Sequence, residues 1–230
     1  MRKDFNIFVE GVADECFFRQ YLRHVFGEVV PDERIVVLKG WDNLKTEASA
    51  LRMHSMSANG GVNLVIVDAD KDFQARKDEI AKWQQANEAE FELFLLPNNQ
   101  DPGALEDLLE NIINPNNRPI LDCWEDYEQE LVQLDIPGRT PPPLTTPAKK
   151  TKIYGYLEAL LGESKSQKDL IKEVNRNYEN TQHWNLDAEY LEPLKGFLGT
   201  ALKTEISRRG NNRLARKCNS YNGKPGNENG

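Results

Sequence analysis

Three acids stand where carboxylates could work together. Asp68 and Asp70 follow the apolar run Leu64-Val65-Ile66-Val67, with Ala69 between them, and Glu10 follows Phe5-Asn6-Ile7-Phe8-Val9. An uninterrupted apolar run rich in β-branched residues suits a strand buried on both faces, as in a parallel sheet. Side chains alternate along a strand, so a strand continuing through this stretch predicts Asp68 and Asp70 on the same side. Two like charges held that close repel unless a cation lies between them. The chemistry expected is a divalent-cation site at the carboxyl edge of a sheet, where open α/β sheets bind their ligands. Acids after a strand also serve as turn and helix-capping residues, and that plainer reading stands beside the first. An EF-hand loop is excluded: Asp68, Asp70, Asp72 and Glu79 match its acid positions, but Phe73 occupies the obligatory glycine position.

The elements that must position these acids read as an alternation of strands and helices. A first strand over Phe5 to Val9 ends in Glu10-Gly11. Asp14 then caps a helix with Phe17, Phe18, Tyr21, Leu22, Val25 and Phe26 on its apolar face, and Gly27 stops it. Arg34 to Leu38 is a second strand, and Asp42 or Asn43 opens a helix to about Met56. Asn59-Gly60-Gly61 breaks the chain before the central strand. A polar helix with Phe73, Ile80 and Trp83 follows Asp72, and Phe91 to Leu96 is a strand closed by Pro97. Such alternation predicts an α/β fold, a mainly parallel sheet with helices on both faces. Glu10 and the Asp68–Asp70 pair then sit at equivalent ends of two strands.

Beyond the last strand the chain reads as helical. Leu105, Leu108, Leu109, Ile112 and Ile113 share one face of a helix, with Glu106 and Asp107 in its first turn, where the helix dipole favours acids. Ile120 to Leu134 is a second amphipathic helix. Pro137 to Pro147 holds five prolines and is a loop. Lys149, Lys150 and Lys152 open the next helix, Ser166 to about Tyr178 reads as a polar helix, and Asp187 caps a last one carrying Leu191, Leu194, Phe197, Leu198 and Leu202. The division expected is an α/β core over residues 1–115, a helical extension packed on it over 116–206, and a basic, disordered tail over 207–230.

Composition narrows the function classes. The net charge is −8, yet residues 207–230 carry six basic residues against Glu228 alone, leaving −13 on the rest of the chain. An acidic body does not attract phosphate backbones through its overall field, so a nucleic-acid contact needs a local basic patch, the tail or bound metal. Cys16, Cys123 and Cys218 form neither a disulfide framework nor a zinc spacing, and His24, His54 and His183 are scattered. Cys16 reads as a core residue. No apolar run approaches a membrane span, the opening residues read as a strand rather than a signal peptide, and a reducing cytoplasm is the expected compartment. No glycine-rich phosphate loop or nucleophile elbow is present.

Val9-Glu10-Gly11-Val12-Ala13-Asp14 before a helix, followed by a buried strand ending Asp68-Ala69-Asp70, resembles the TOPRIM domain of topoisomerases, primases and related nucleases. Pro97-Asn98 through Gly103 with Leu105-Glu106-Asp107-Leu108-Leu109, and Trp184-Asn185-Leu186-Asp187 with Leu191-Glu192-Pro193-Leu194, resemble one branch of it. That branch comprises uncharacterised bacterial and archaeal proteins related to the TOPRIM half of the overcoming-lysogenization-defect (OLD) nucleases. The resemblance spans about residues 5–202. It implies a TOPRIM-like, Rossmann-like sheet and a cytoplasmic hydrolase that cleaves phosphodiesters of DNA or RNA, in phage defence or DNA repair. It implies Mg²⁺ or Mn²⁺ held by Glu10, Asp68 and Asp70, with Asp72 continuing the acidic run. The related nucleases add an acid and a lysine, which here fall on Glu106 and on Lys150 or Lys152. The fused ATPase half of OLD nucleases is absent from this chain, as is a topoisomerase tyrosine module. The alternative is a non-catalytic TOPRIM-like module that docks on another protein, for instance a separately encoded ATPase.

Overall fold

The computed structural model describes residues 4–202 except 28, 140–143 and 163. Strands β1 (Phe5–Val9), β2 (Ile35–Val37), β3 (Val62–Asp68) and β4 (Glu92–Leu96) form one sheet in the order β2-β1-β3-β4. Every pairing in it is parallel. All five residues of β1 and the five central residues of β3 are buried, as continuous apolar strands covered on both faces require.

Alternation divides the core in two. Ile7, Val9, Leu64, Ile66, Phe94 and Leu96 pack with α1 (Val12–Phe26), α4 (Leu105–Asn111), α6 (Lys149–Leu161) and α8 (Glu192–Ala201). Phe8, Val65, Val67 and Leu95 pack against α2 (Glu47–Ala58), α3 (Phe73–Ala86) and the 3₁₀ turn Trp41–Lys45. The result is an α/β fold with helices on both faces of a parallel sheet. The later helices share the first core: Ile153, Tyr156, Trp184 and Leu198 belong to the same apolar cluster as β1 and β4. Between α4 and α6, α5 (Arg118–Gln133) adds Leu121 to that cluster.

One buried polar pair locks the register. Asn6 and Asn63 face each other across β1 and β3, and Asn6 Nδ2 donates to Asn63 Oδ1 at 3.4 Å. Asn63 Nδ2 donates in turn to the carbonyls of Met53 and Glu90, both at 3.0 Å. A slip of one residue would leave these amides buried without partners, at about 1–3 kcal/mol each.

The strand order fixes where a ligand can enter. The chain leaves β1 for β2 through α1 on one face, and leaves β3 for β4 through α3 on the other. The crossovers diverge between β1 and β3, so the carboxyl ends of these two strands form the sheet's topological switch point, the place where open α/β sheets carry their ligands.

The helix expected to be capped by Asp14 starts earlier, at Val12 with Gly11 as its cap, and Asp14 accepts from the Gly11 N–H from within the first turn. Three later helices also differ from the expected ones. The first, expected from Asp42 or Asn43, is split into the 3₁₀ turn and α2, because Trp41 and Leu44 both turn into the second core. Thr46 caps α2, its hydroxyl accepting from the Ser49 N–H at 3.4 Å. The helix expected over 166–178 stops early: α7 (Lys165–Ile171) gives way to a 3₁₀ turn, Glu173–Asn175, and Tyr178 enters the core 5.3 Å from the Phe17 ring. The last helix starts at Glu192 with Pro193 in its first turn, while Asp187 pairs with His24 at 2.9 Å instead of capping it. The tail expected over 207–230 lies outside the described residues.

Candidate functional site

Glu10 is the first residue beyond β1, and its carboxylate ties together the ends of its two neighbours. Oε1 accepts from the Trp41 N–H at 2.9 Å, in the loop after β2, and Oε2 accepts from the Asp68 N–H at 3.0 Å. The Gly40 N–H reaches the Glu10 carbonyl at 3.2 Å, so the Lys39-Gly40-Trp41 segment wraps the same residue.

Asp68 ends β3. By alternation with Leu64 and Ile66 it belongs to the face covered by α1 and α4, and its Oδ1 accepts from the Leu105 N–H at 3.1 Å, at the start of α4. Asp14 lies on the same side, in the first turn of α1, only 6% exposed, with Oδ2 accepting from the Gly11 N–H at 2.8 Å. Glu106, half-buried, is in the first turn of α4.

These four acids feel one another. Burial pushes the Asp68 carboxyl up to about 8, and the negative charges of Asp14, Glu10 and Glu106 add to that. Burial likewise raises Asp14 to about 7, with Glu10 and Glu106 contributing in the same direction. Among the described residues none of the four has an ion-pair partner. The site is therefore a cluster of carboxyl groups at the sheet's switch point, none of them ion-paired among the described residues.

The structure gathers some of the residues singled out in the sequence and not others. Glu10, Asp68 and Glu106 come together. Asp70 does not point with Asp68, because β3 ends at Asp68 and Asp70 adopts a left-handed conformation with φ 56°. Its N–H bonds the Gly103 carbonyl at 2.9 Å, and its carboxylate pairs with Arg76. Asp72 caps α3, accepting from the Ala75 N–H at 2.9 Å. Asp68 thus neighbours Asp14 and Glu106 rather than pointing with Asp70, because the strand's alternation stops at Asp68.

The two lysines also part company. Lys150 is exposed and pairs with Glu173, and that bond, with help from the charge of Glu106, holds its ammonium above its ordinary value. The side chain of Lys152 is 7% exposed and reaches Glu110 at 3.1 Å and Glu125 at 3.5 Å. It joins α4, α5 and α6 and is a structural residue in this geometry. Asp107 closes back on the Ala104 N–H at 2.8 Å and pairs with Lys149.

Asp14 is the site residue that the sequence reading passed over, having given it a cap's role only. The signal was present: it stands four residues after Glu10, in the first turn of a helix that starts at the sheet's carboxyl edge.

The donor set suits a hard divalent cation, being carboxylate oxygen throughout. As they stand, no three His, Cys, Asp or Glu side chains among the described residues converge at metal-ligand spacing. Glu10 explains part of this, since both its oxygens are turned onto backbone N–H groups. Each carboxylate keeps further lone pairs, and Asp68 Oδ2 accepts no hydrogen bond among the described residues.

Among the described residues no helix is long and apolar enough to cross a membrane. No curated protein and no solved structure matches the chain. Residues 4–203 match the family described as Protein of unknown function (DUF3226), and the chain belongs to that family.

Proposed function

We propose that this chain is a divalent-metal-dependent phosphodiesterase of TOPRIM-like architecture that cleaves nucleic acid. The observation that carries the reading is the Asp68 carboxyl, flanked by Asp14, Glu10 and Glu106 at the β1/β3 switch point and ion-paired to no cation among the described residues. Asp68, Glu10 and Glu106 would hold Mg²⁺ or Mn²⁺, which supplies a polarised phosphoryl oxygen and a more acidic bound water.

The chain's own residues prepare that site. The Leu105 N–H orients Asp68, and the Trp41 N–H and the Asp68 N–H hold Glu10 at the sheet edge. Asp14, almost closed off from solvent, holds its proton to a higher pH than an ordinary carboxyl, and an approaching positive charge would favour its release. Lys150, paired with Glu173 in this structure, would supply a positive charge to a bound phosphate once released from that pair.

Cleavage of plasmid DNA, single-stranded DNA and RNA in Mg²⁺ or Mn²⁺, with wild type beside Asp68→Asn, tests this. The expected result is metal-dependent cleavage by wild type and loss of at least about 100-fold in the variant, the scale on which electrostatic groups act in catalysis. Equal cleavage by both proteins would remove the reading. A second reading, a non-catalytic module that docks on a partner such as an ATPase, is favoured by one observation: Glu10 already works as a backbone clamp. A stoichiometric partner bound equally in chelator and in Mg²⁺, with no cleavage, is its signature.

A further inference from the structure

Helix α5 is covered at one end only. Leu121 is buried and Trp124 packs over Gly155, but from Glu128 onward only Glu128 and Leu131 are partly covered. Tyr127, Leu134 and Ile136 are 46%, 58% and 41% exposed. The helical step places Cys123, Tyr127, Glu130 and Leu134 in one row, with Asp126 alongside. Residues 118–135 carry six acids against Arg118. Arg118 is taken up by Asp122 and Glu125. Asp126, Glu128, Glu130 and Asp135 have no ion pair among the described residues.

We propose that this acidic, partly apolar face of α5 docks the chain's own basic segment, residues 208–217. That segment carries Arg208, Arg209, Arg213, Arg216 and Lys217 and no acid, with Leu214 as an apolar counterpart to Tyr127 and Leu134. Charge complementarity decides the occupant: a second copy would bring one acidic α5 against another. The acid cluster at the sheet edge is the rival destination, but its Asp14 is buried, whereas α5 offers exposed acids without ion pairs among the described residues beside the exposed Tyr127 and Leu134. Reach is ample. The sixteen residues from Leu202 to Cys218 extend to about 50–55 Å, against a radius of gyration of roughly 17 Å for a chain of this size. The inference stands independently of the proposed phosphodiesterase.

Two of the chain's own cysteines test it. Cys123 is exposed in the α5 row, and Cys218 directly follows the basic run. Mild oxidation of the full chain with diamide, at low salt and low protein concentration, joins two thiols as a disulfide while the diamide is reduced to its hydrazine. The result expected is a link between Cys123 and Cys218 within one chain, identified by peptide mapping. It should form at least about five-fold more slowly in 1 M salt, where charge attraction is screened. The double variant Asp126→Lys/Glu130→Lys should slow it similarly while leaving the far-ultraviolet circular dichroism unchanged. Links only between chains, a link to Cys16, no link, or a rate indifferent to salt and charge reversal would each overturn the assignment.

Discussion

Replacing Asp68 by Asn should stabilise the metal-free protein, and the gain should depend on pH in a definite direction. The Asp68 carboxyl is raised from 3.8 to about 8 in the folded chain, chiefly by burial and then by Asp14, Glu10 and Glu106. The unfolded chain releases this proton near the ordinary value, while the folded chain keeps it until about pH 8. Between those limits the folded state binds more protons, so stability falls as pH rises. Each unit is worth about 1.4 kcal/mol, which gives a ceiling near 5–6 kcal/mol by pH 9. Asp14 shares the same repulsion and relaxes when its neighbour is neutral, and effective dielectric values near 20 reduce such terms, so about 2–4 kcal/mol is expected. Asparagine keeps the size of the side chain and an oxygen for the Leu105 N–H. The assay is urea or thermal unfolding in chelator from pH 4 to pH 9. Wild type and variant should be alike at pH 4, and the variant should gain roughly 5–15 °C in midpoint by pH 9. Mg²⁺ at pH 8 should raise the wild type and leave the variant unmoved. A variant less stable than wild type at pH 9, or a difference that ignores pH, would refute the reasoning.

Other consequences follow from the same contacts. Glu10→Ala removes the acceptor for two backbone N–H groups, at about 1–3 kcal/mol, and hydrogen exchange should quicken at Trp41 and Asp68 before the rest of the sheet. Lys152→Ala leaves the half-buried Glu110 without its cation, with one of its oxygens already buried and unpartnered, and should cost about 2–4 kcal/mol in chemical unfolding, whereas Lys150→Ala should stay within about 0.5 kcal/mol of wild type and slow phosphodiester cleavage. Gly103→Ala should destabilise by about 1–3 kcal/mol, because φ is 143° there and the added Cβ would lie 2.6 Å from Asp107 Oδ2, and a crystal structure should show the start of α4 displaced.

The sheet was legible because period-2 and continuous apolar runs carry their own burial: β1, β3 and β4 start within two residues of where Phe5, Leu64 and Phe91 announce them. Glu10, Asp68 and Glu106 were legible for the same reason, since each follows a strand or opens a helix whose place in the sheet is set by that pattern. Asp70 was not. Its direction depends on one left-handed residue and on a hydrogen bond to Gly103, which is distant in sequence. Asp14 was hidden because its cap bond and its place in the acid cluster use the same residue, and only packing shows the second. Lys150 and Lys152 lie two apart on one helix, so sequence could not say which turns outward to Glu173 and which is buried against Glu110. The short 3₁₀ turns at Trp41 and Glu173 follow from where Trp41 and Tyr178 must be buried, a tertiary demand that overrides local periodicity.

The account rests on the acids at the β1/β3 switch point forming a cation site. A crystal soaked in Mn²⁺ and measured for its anomalous signal addresses this directly. The account predicts a peak coordinated by Asp68 with Glu10 or Glu106, and none at that place in Asp68→Asn crystals. Manganese bound only elsewhere, or no peak at millimolar concentration with the four carboxylates unchanged, would contradict it.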